Sequence, residues 1–182
     1  MAYFNATYNW PSLNALTESG PFTGVIEEGR IVTKDPATGV FELVGAGAIA
    51  DRIFQIAFYN STDPDIAQVD GDNARWPGNL QVQNAAGNTG GNLATLSLPQ
   101  DLEAQTDQYI GTPAVNAELT VYGVAAGDTD AADFGKLRVA AQGEPVIAKV
   151  VAAPAQLQEW TDPLSPTVTA VTVRYGFNYA AA

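Results

Sequence analysis

A chain of 182 residues with no cysteine and no histidine is long enough to bury a core. It excludes disulfides, thiolate or imidazole metal sites, thiol nucleophiles and every Ser-His-Asp or HExxH arrangement. Twenty acids against eight bases, a formal net charge of −12, argue against a general nucleic-acid surface and against anionic membranes.

Charged residues make up 15% of the chain and hydrophobic ones 46%, a foldable composition rather than a disordered one. An enzyme built from it would have to use carboxylates, Lys, Tyr or a cofactor. No stretch approaches the ~18 apolar residues of a membrane span. The opening MAYFNATYNWPSLN lacks the basic start and apolar run of a signal peptide, so synthesis and use in a cytoplasm are expected. The charge is uneven. Residues 61–133 hold eleven acids and one base, Arg75, whereas residues 134–182 hold three acids and four bases. The middle of the chain is therefore expected to face solvent, and the two ends to build any partner surface.

Residues 1–20 read as an extended arm. Tyr3, Phe4, Tyr8 and Trp10 are apolar anchors without helical continuity, interrupted by Pro11; such an arm must lie on its own domain or on a neighbour. Residues 30–33 and 40–44 flank Lys34-Asp35-Pro36-Ala37-Thr38-Gly39, a hairpin signal, since Asp-Pro starts a turn and Gly takes positive φ. Residues 52–59 are strand-like, with a helix in competition. Residues 60–79 and 84–92 read as loop. Strands are expected at 93–98, 115–125, 136–141 and 146–152, a short helix is possible at 100–109 behind Pro99, and turns are expected at 127–130 and 142–145. Pro154, Pro163 and Pro166 break up the stretch between residues 152 and 167. Residues 167–179 form the clearest strand: Val171, Val173, Tyr175, Phe177 and Tyr179 share one face, and Thr172, Arg174 and Asn178 the other. The pattern predicts an all-β fold, a small β-sandwich or β-barrel with at most one short helix, as a single domain over residues 21–182 behind the arm.

Three features invite a chemical reading. Residues 45–50, GAGAIA, fit the G-x-G-x-x-A of a dinucleotide-binding turn, with Asp70 as a ribose-binding acid. Against this, the preceding strand contains Glu42 and follows a hairpin, and no βα alternation continues after Asp70. Asp63 with Asp65, Asp70 with Asp72, and Asp128 with Asp130 and Asp133 could ligate a hard cation, but none fits an EF-hand loop; solvated acidic turns are the ordinary reading. Trp10 and Trp76 each precede a Pro, and Trp160 lies two residues before Asp162-Pro163, all in loop-like sequence, where tryptophan pins a loop or meets a partner. A carbohydrate-binding module would use them this way. No catalytic, cofactor or metal residue is assigned.

Residues 135–153, GKLRVAAQGEPVIAKVVAA, place a strand, a Gly turn and an apolar strand in sequence, and residues 29–39, GRIVTKDPATG, an early hairpin. Both resemble hairpins of tailed-bacteriophage capsid decoration (cement) proteins, over about a sixth of the chain, so residues 135–153 are expected to pair as a hairpin. The long acidic middle and the Trp-bearing loops depart from that pattern. The resemblance implies a non-enzymatic, β-rich virion protein without cofactor on the capsid exterior, made in the host cytoplasm. Its implied partners are the major capsid protein and its own copies, as a homotrimer, with no nucleic acid or membrane. Tyr3, Phe4, Tyr8, Trp10, Trp160 and Arg174 are the expected partner-binding residues. A tail or head-completion component is the neighbouring alternative.

Overall fold

The structure, a computed structural model, describes residues 4–8, 17–23, 25–27, 29–45, 54–58, 81–83, 92–97, 102–158 and 167–179. The strands in chain order are β1 (Phe4–Tyr8), β2 (Thr17–Pro21), β3 (Val25–Glu27), β4 (Ile31–Lys34), β5 (Phe41–Leu43), β6 (Phe54–Phe58), β7 (Gln81–Gln83), β8 (Asn92–Ser97), β9 (Leu102–Thr106), β10 (Glu118–Val121), β11 (Leu137–Val139), β12 (Val146–Gln158) and β13 (Thr167–Tyr179). They form a six-stranded sheet in the order β1-β9-β13-β12-β10-β11, a five-stranded sheet in the order β2-β8-β6-β4-β5, and the pair β3-β7. Among the described residues there is no helix, and the ladders between strands are antiparallel. The fold is all-β, as the strand and turn pattern predicts, and neither sheet closes into a barrel.

The main core lies between the two large sheets. Ile31, Phe54 and Ile56 from the five-stranded sheet meet Phe4, Leu102, Ala104, Leu119, Val121, Val171, Val173 and Tyr175 from the six-stranded one. A second cluster, Phe22, Ile26, Val32, Phe41 and Ala57, occupies the other face of the five-stranded sheet. β4 is thus covered on both sides, which is why Ile31-Val32-Thr33 is buried throughout rather than alternating. Each such Ile or Phe, fully withdrawn from water, contributes ~1.5–3 kcal/mol. On the same face as Val32, the Glu18 carboxylate pairs with Lys34 and accepts from Gln55 Nε2 (3.0 Å). The Lys34 and Gln55 bonds hold the Glu18 carboxyl below its usual range.

Several local expectations change. Residues 102–106 form no helix. Leu102, Ala104 and Thr106 are buried while Glu103 and Gln105 are half-buried, a period of two that places β9 inside the sheet. The same strand, with β10, overturns the expectation that residues 61–133 face solvent: Leu102, Ala104, Leu119 and Val121 are all core. The strand expected over 115–125 is shorter, because Asn116 (φ 68) and Gly123 (φ 111) turn the chain at both ends of β10. Residues 135–153 are not a hairpin. β10 lies between β11 and β12, with Leu119 in register with Val139 on one side and Ala148 on the other. Pro154 does not end β12; the register shifts between Ala152 and Ala155, and that irregularity absorbs the residue that cannot donate. The hairpin at 29–39 is β4–β5, with Gly39 at φ 71.

Of the expected arm, residues 4–8 and 17–20 lie in paired strands. β1 lies on β9 at one edge of the six-stranded sheet, and β2 lies on β8 at one edge of the five-stranded sheet.

The segment after β10 crosses to the five-stranded sheet. Ile31 N–H donates to the Gly135 carbonyl at 2.8 Å. Arg30 Nη1 donates to the carbonyls of Ala132 (3.0 Å) and Phe134 (2.7 Å), and its other nitrogens hold Glu27. A Cβ on Gly135 (φ +79) would lie 2.6 Å from the Ile31 carbonyl oxygen, whereas one on Gly143 (φ +86) would meet nothing within 4 Å. Gly143→Ala is expected to cost the left-handed penalty alone, ~1–2 kcal/mol, and Gly135→Ala ~3 kcal/mol or more. Urea unfolding of the two variants checks the difference.

Candidate interaction surface

On the outer face of the six-stranded sheet, the register aligns Glu103, Arg174, Lys149 and Glu118 across β9, β13, β12 and β10. Tyr8 of β1 is the register partner of Glu103 on its other side. Arg174 Nη2 donates to Glu103 Oε2 at 3.1 Å, with the Arg174 side chain 44% exposed. On the same strand Val171, Val173 and Tyr175 point into the core, so the two-residue period sets Arg174 outward.

The second feature carries no charge. Residues 150–158 and 163–173 contain no Asp, Glu, Lys or Arg. β10 reaches β12 only as far as Lys149, and the turn before it bonds Val150 through Asn116 N–H (2.9 Å) and the Ala117 carbonyl (3.0 Å). β9 reaches β13 only over Val171 to Tyr175. The far half of the β12–β13 hairpin therefore extends past both neighbouring strands. Leu157, Val168 and Ala170 form a small apolar cluster on it. Val151, Ala152, Ala153, Ala155, Gln156 and Thr169 are exposed. Val151, 38% exposed, follows the Asn116–Val150 bond on one side and Val115, 50% exposed, precedes it on the other.

At the β10–β11 end of the same sheet, the turns are fixed by one cation. Arg138 Nη1 and Nη2 donate to the two Glu144 carboxylate oxygens at 2.6 and 2.7 Å. Its Nε and Nη2 donate to Asp128 Oδ2 at 3.3 and 3.0 Å. That oxygen also accepts the N–H groups of Gly123 (2.9 Å) and Ala125 (3.1 Å), and Glu144 accepts that of Ala141 (2.7 Å). The network ties the turn after β10 to the connection that carries the chain over β10 from β11 to β12. Burial opposes ionisation of Asp128, but the bonds from Gly123, Arg138 and Ala125 outweigh it and hold its carboxyl below the ordinary range. The Arg138 bond does the same for Glu144 against its burial.

The expected partner residues separate. Arg174 lies on the outer face, and Tyr8 stands in line with it by register. Phe4 is 1% exposed in the main core, so it is a packing residue and not a contact for a partner. Tyr3, Trp10 and Trp160 lie outside the described residues, as do Trp76, Asp63, Asp65, Asp70 and Asp72. Asp128 is committed to Arg138, Asp133 pairs with Lys136 at 2.7 Å, and Asp130 accepts from the Ala132 N–H. Among the described residues no group of three or more acids could hold a metal. The strand before Gly45, β5, is an edge strand antiparallel to β4, unlike the central parallel strand of a dinucleotide-binding unit; residues 46–50 lie outside the described residues. Val115 falls in the middle region expected to face solvent, whereas Val151–Gln156 and Thr169 fall in the C-terminal region expected to build a partner surface, although no residue among them stands out in the sequence. Their signal in the sequence is the absence of charge across 150–158 and 163–173 in an acidic chain.

Because both folded-state carboxyl values are depressed, the stability they contribute is complete above the unfolded-state values, about 4. It is lost as pH falls through the lower folded-state values. Arg138→Met is expected to cost ~3 kcal/mol at neutral pH by leaving the buried Asp128 and half-buried Glu144 carboxylates without their cation. The gap from the unsubstituted chain should shrink as pH drops below about 4. Urea titrations of both chains at pH 7 and pH 3 measure it.

No protein-family model matches the chain, and no curated protein matches it significantly.

Proposed function

We propose that the chain is a non-enzymatic structural protein of a phage virion. It binds the outer surface of the capsid and stabilises it by bridging neighbouring capsomers, as a homo-oligomer contacting the major capsid protein. The observation that carries this reading is the exposed, charge-free far half of the β12–β13 hairpin in a chain with a net charge of −12. Charge is depleted at the centres of protein interfaces, and a neutral strip on a repelling body is where a protein partner can settle without desolvating carboxylates. The resemblance of residues 29–39 and 135–153 to cement proteins supplies the kind of partner. The second of these segments contains β11 and the first half of β12, including Val151 to Ala153.

Co-sedimentation with mature heads from the same genome, stripped of small proteins, tests the proposal. Saturable pelleting at a fixed ratio per capsomer is the expected result. Val151→Asp should weaken it at least tenfold while leaving the thermal unfolding midpoint within a few degrees, since the side chain is exposed. Absence of pelleting by the folded chain overturns the reading.

A further inference from the structure

The two large sheets have four edges, and three of them are guarded. β11 carries Arg138, and residues 108–110 run beside it: Leu137 N–H donates to the Gln108 carbonyl (2.9 Å) and Ile110 N–H to the Leu137 carbonyl (2.8 Å). β5 carries Glu42 and is bridged by Phe22, with Thr23 N–H donating to the Phe41 carbonyl at 3.1 Å. β2 carries Glu18 and ends at Pro21. β1, Phe-Asn-Ala-Thr-Tyr, has neither charge nor proline, and among the described residues no strand lies on its outer side. Its one irregularity falls between Ala6 and Tyr8, which leaves residues 4–6 in regular register on β9. Among the described residues this edge has no charge, proline or covering strand, and such an edge is a template for a further strand.

Charge decides which strand. Copies of a chain at −12 repel one another over most of their surface, yet residues 1–16 contain no charged side chain. A basic partner would be drawn to the acidic regions instead; this edge offers only backbone groups and neutral side chains. An antiparallel edge is self-complementary across a two-fold axis and needs no second sequence. We propose that β1 pairs with β1 of a second copy, joining two six-stranded sheets edge to edge. The inference gives a structure to the homo-oligomer part of the proposed function and is tested apart from capsid binding. An isologous pair closes on itself, so this edge builds a dimer and not the trimer that the resemblance implies. Five residues a side make a small interface, and the expected dimer is a weak one.

Sedimentation velocity on the full chain, at concentrations up to on the order of 1 mM, should show a shift towards twice the chain mass. Asn5→Lys, at the register partner of Gln105, should raise the dissociation constant at least tenfold with unchanged circular dichroism. Because the chain has no cysteine, single thiols report the geometry independently of that variant. On oxidation, Asn5→Cys or Thr7→Cys should give a disulfide-linked dimer, and Val139→Cys, exposed on the opposite edge strand, should not. A chain that stays monomeric throughout, or one that cross-links equally through position 139, overturns the inference. So does a monomer in which Asn5→Lys abolishes pelleting with heads, which would assign the edge to a capsid strand. Failure of wild-type pelleting together with self-pairing would overturn only the capsid reading.

Discussion

Ile31 joins the two large sheets twice. Its side chain is buried in the core between them, and its N–H donates to the carbonyl of Gly135, in the segment that leaves β10. The backbones come so close there that Gly135 has no room for a Cβ, and Gly123 of the same segment would drive one to 2.2 Å from the Val44 carbonyl oxygen. Arg30 closes the contact by holding the carbonyls of Ala132 and Phe134. The position of β11, the reach of the Arg138 network and the path of the chain over β10 all depend on that approach. A polar seam at the rim of an apolar core fixes how the sheets are oriented, which hydrophobic burial alone leaves loose.

Much of the fold is legible in the residues. The β4–β5 hairpin is written in Asp35-Pro36 and Gly39, and β13 in its alternation of Val and Tyr with Thr and Arg. The misreadings have physical causes. Residues 100–109 hold three Gln with Leu, Glu and Ala, which favour helices locally, but the apolar set Leu102 and Ala104 has the period of a strand, and tertiary pairing on β13 and β1 decides. The insertion of β10 between β11 and β12 is invisible locally, because a Gly turn between two apolar runs looks the same whether the runs pair with each other or with a third strand. Pro154 marks an irregularity and not an end, because a long hairpin tolerates one unpaired position.

The surface is less legible than the core. Arg174 stands out because alternation sorts a strand into two faces. Phe4 misleads for the converse reason: aromatic residues near a chain end read equally well as anchors for a partner or for the chain's own sheet, and only the pairing of β1 with β9 separates the two. The neutral strip on β12 and β13 is defined by what is missing, and a missing charge matters only once the strands are known to run past their neighbours.

The order of pairing along the chain has a kinetic side. Phe4 must wait for Thr106, and Thr17 for Leu96, so β1 and β2 have no partner until β9 and β8 have been made. Contacts this far apart in sequence carry a large loop-closure cost before any burial rewards them, and all-β domains of this kind fold in milliseconds to seconds. Through that interval residues 1–16, which carry no charged side chain, lack the strand that pairs with β1, while the acids between them and β9 keep nascent copies apart.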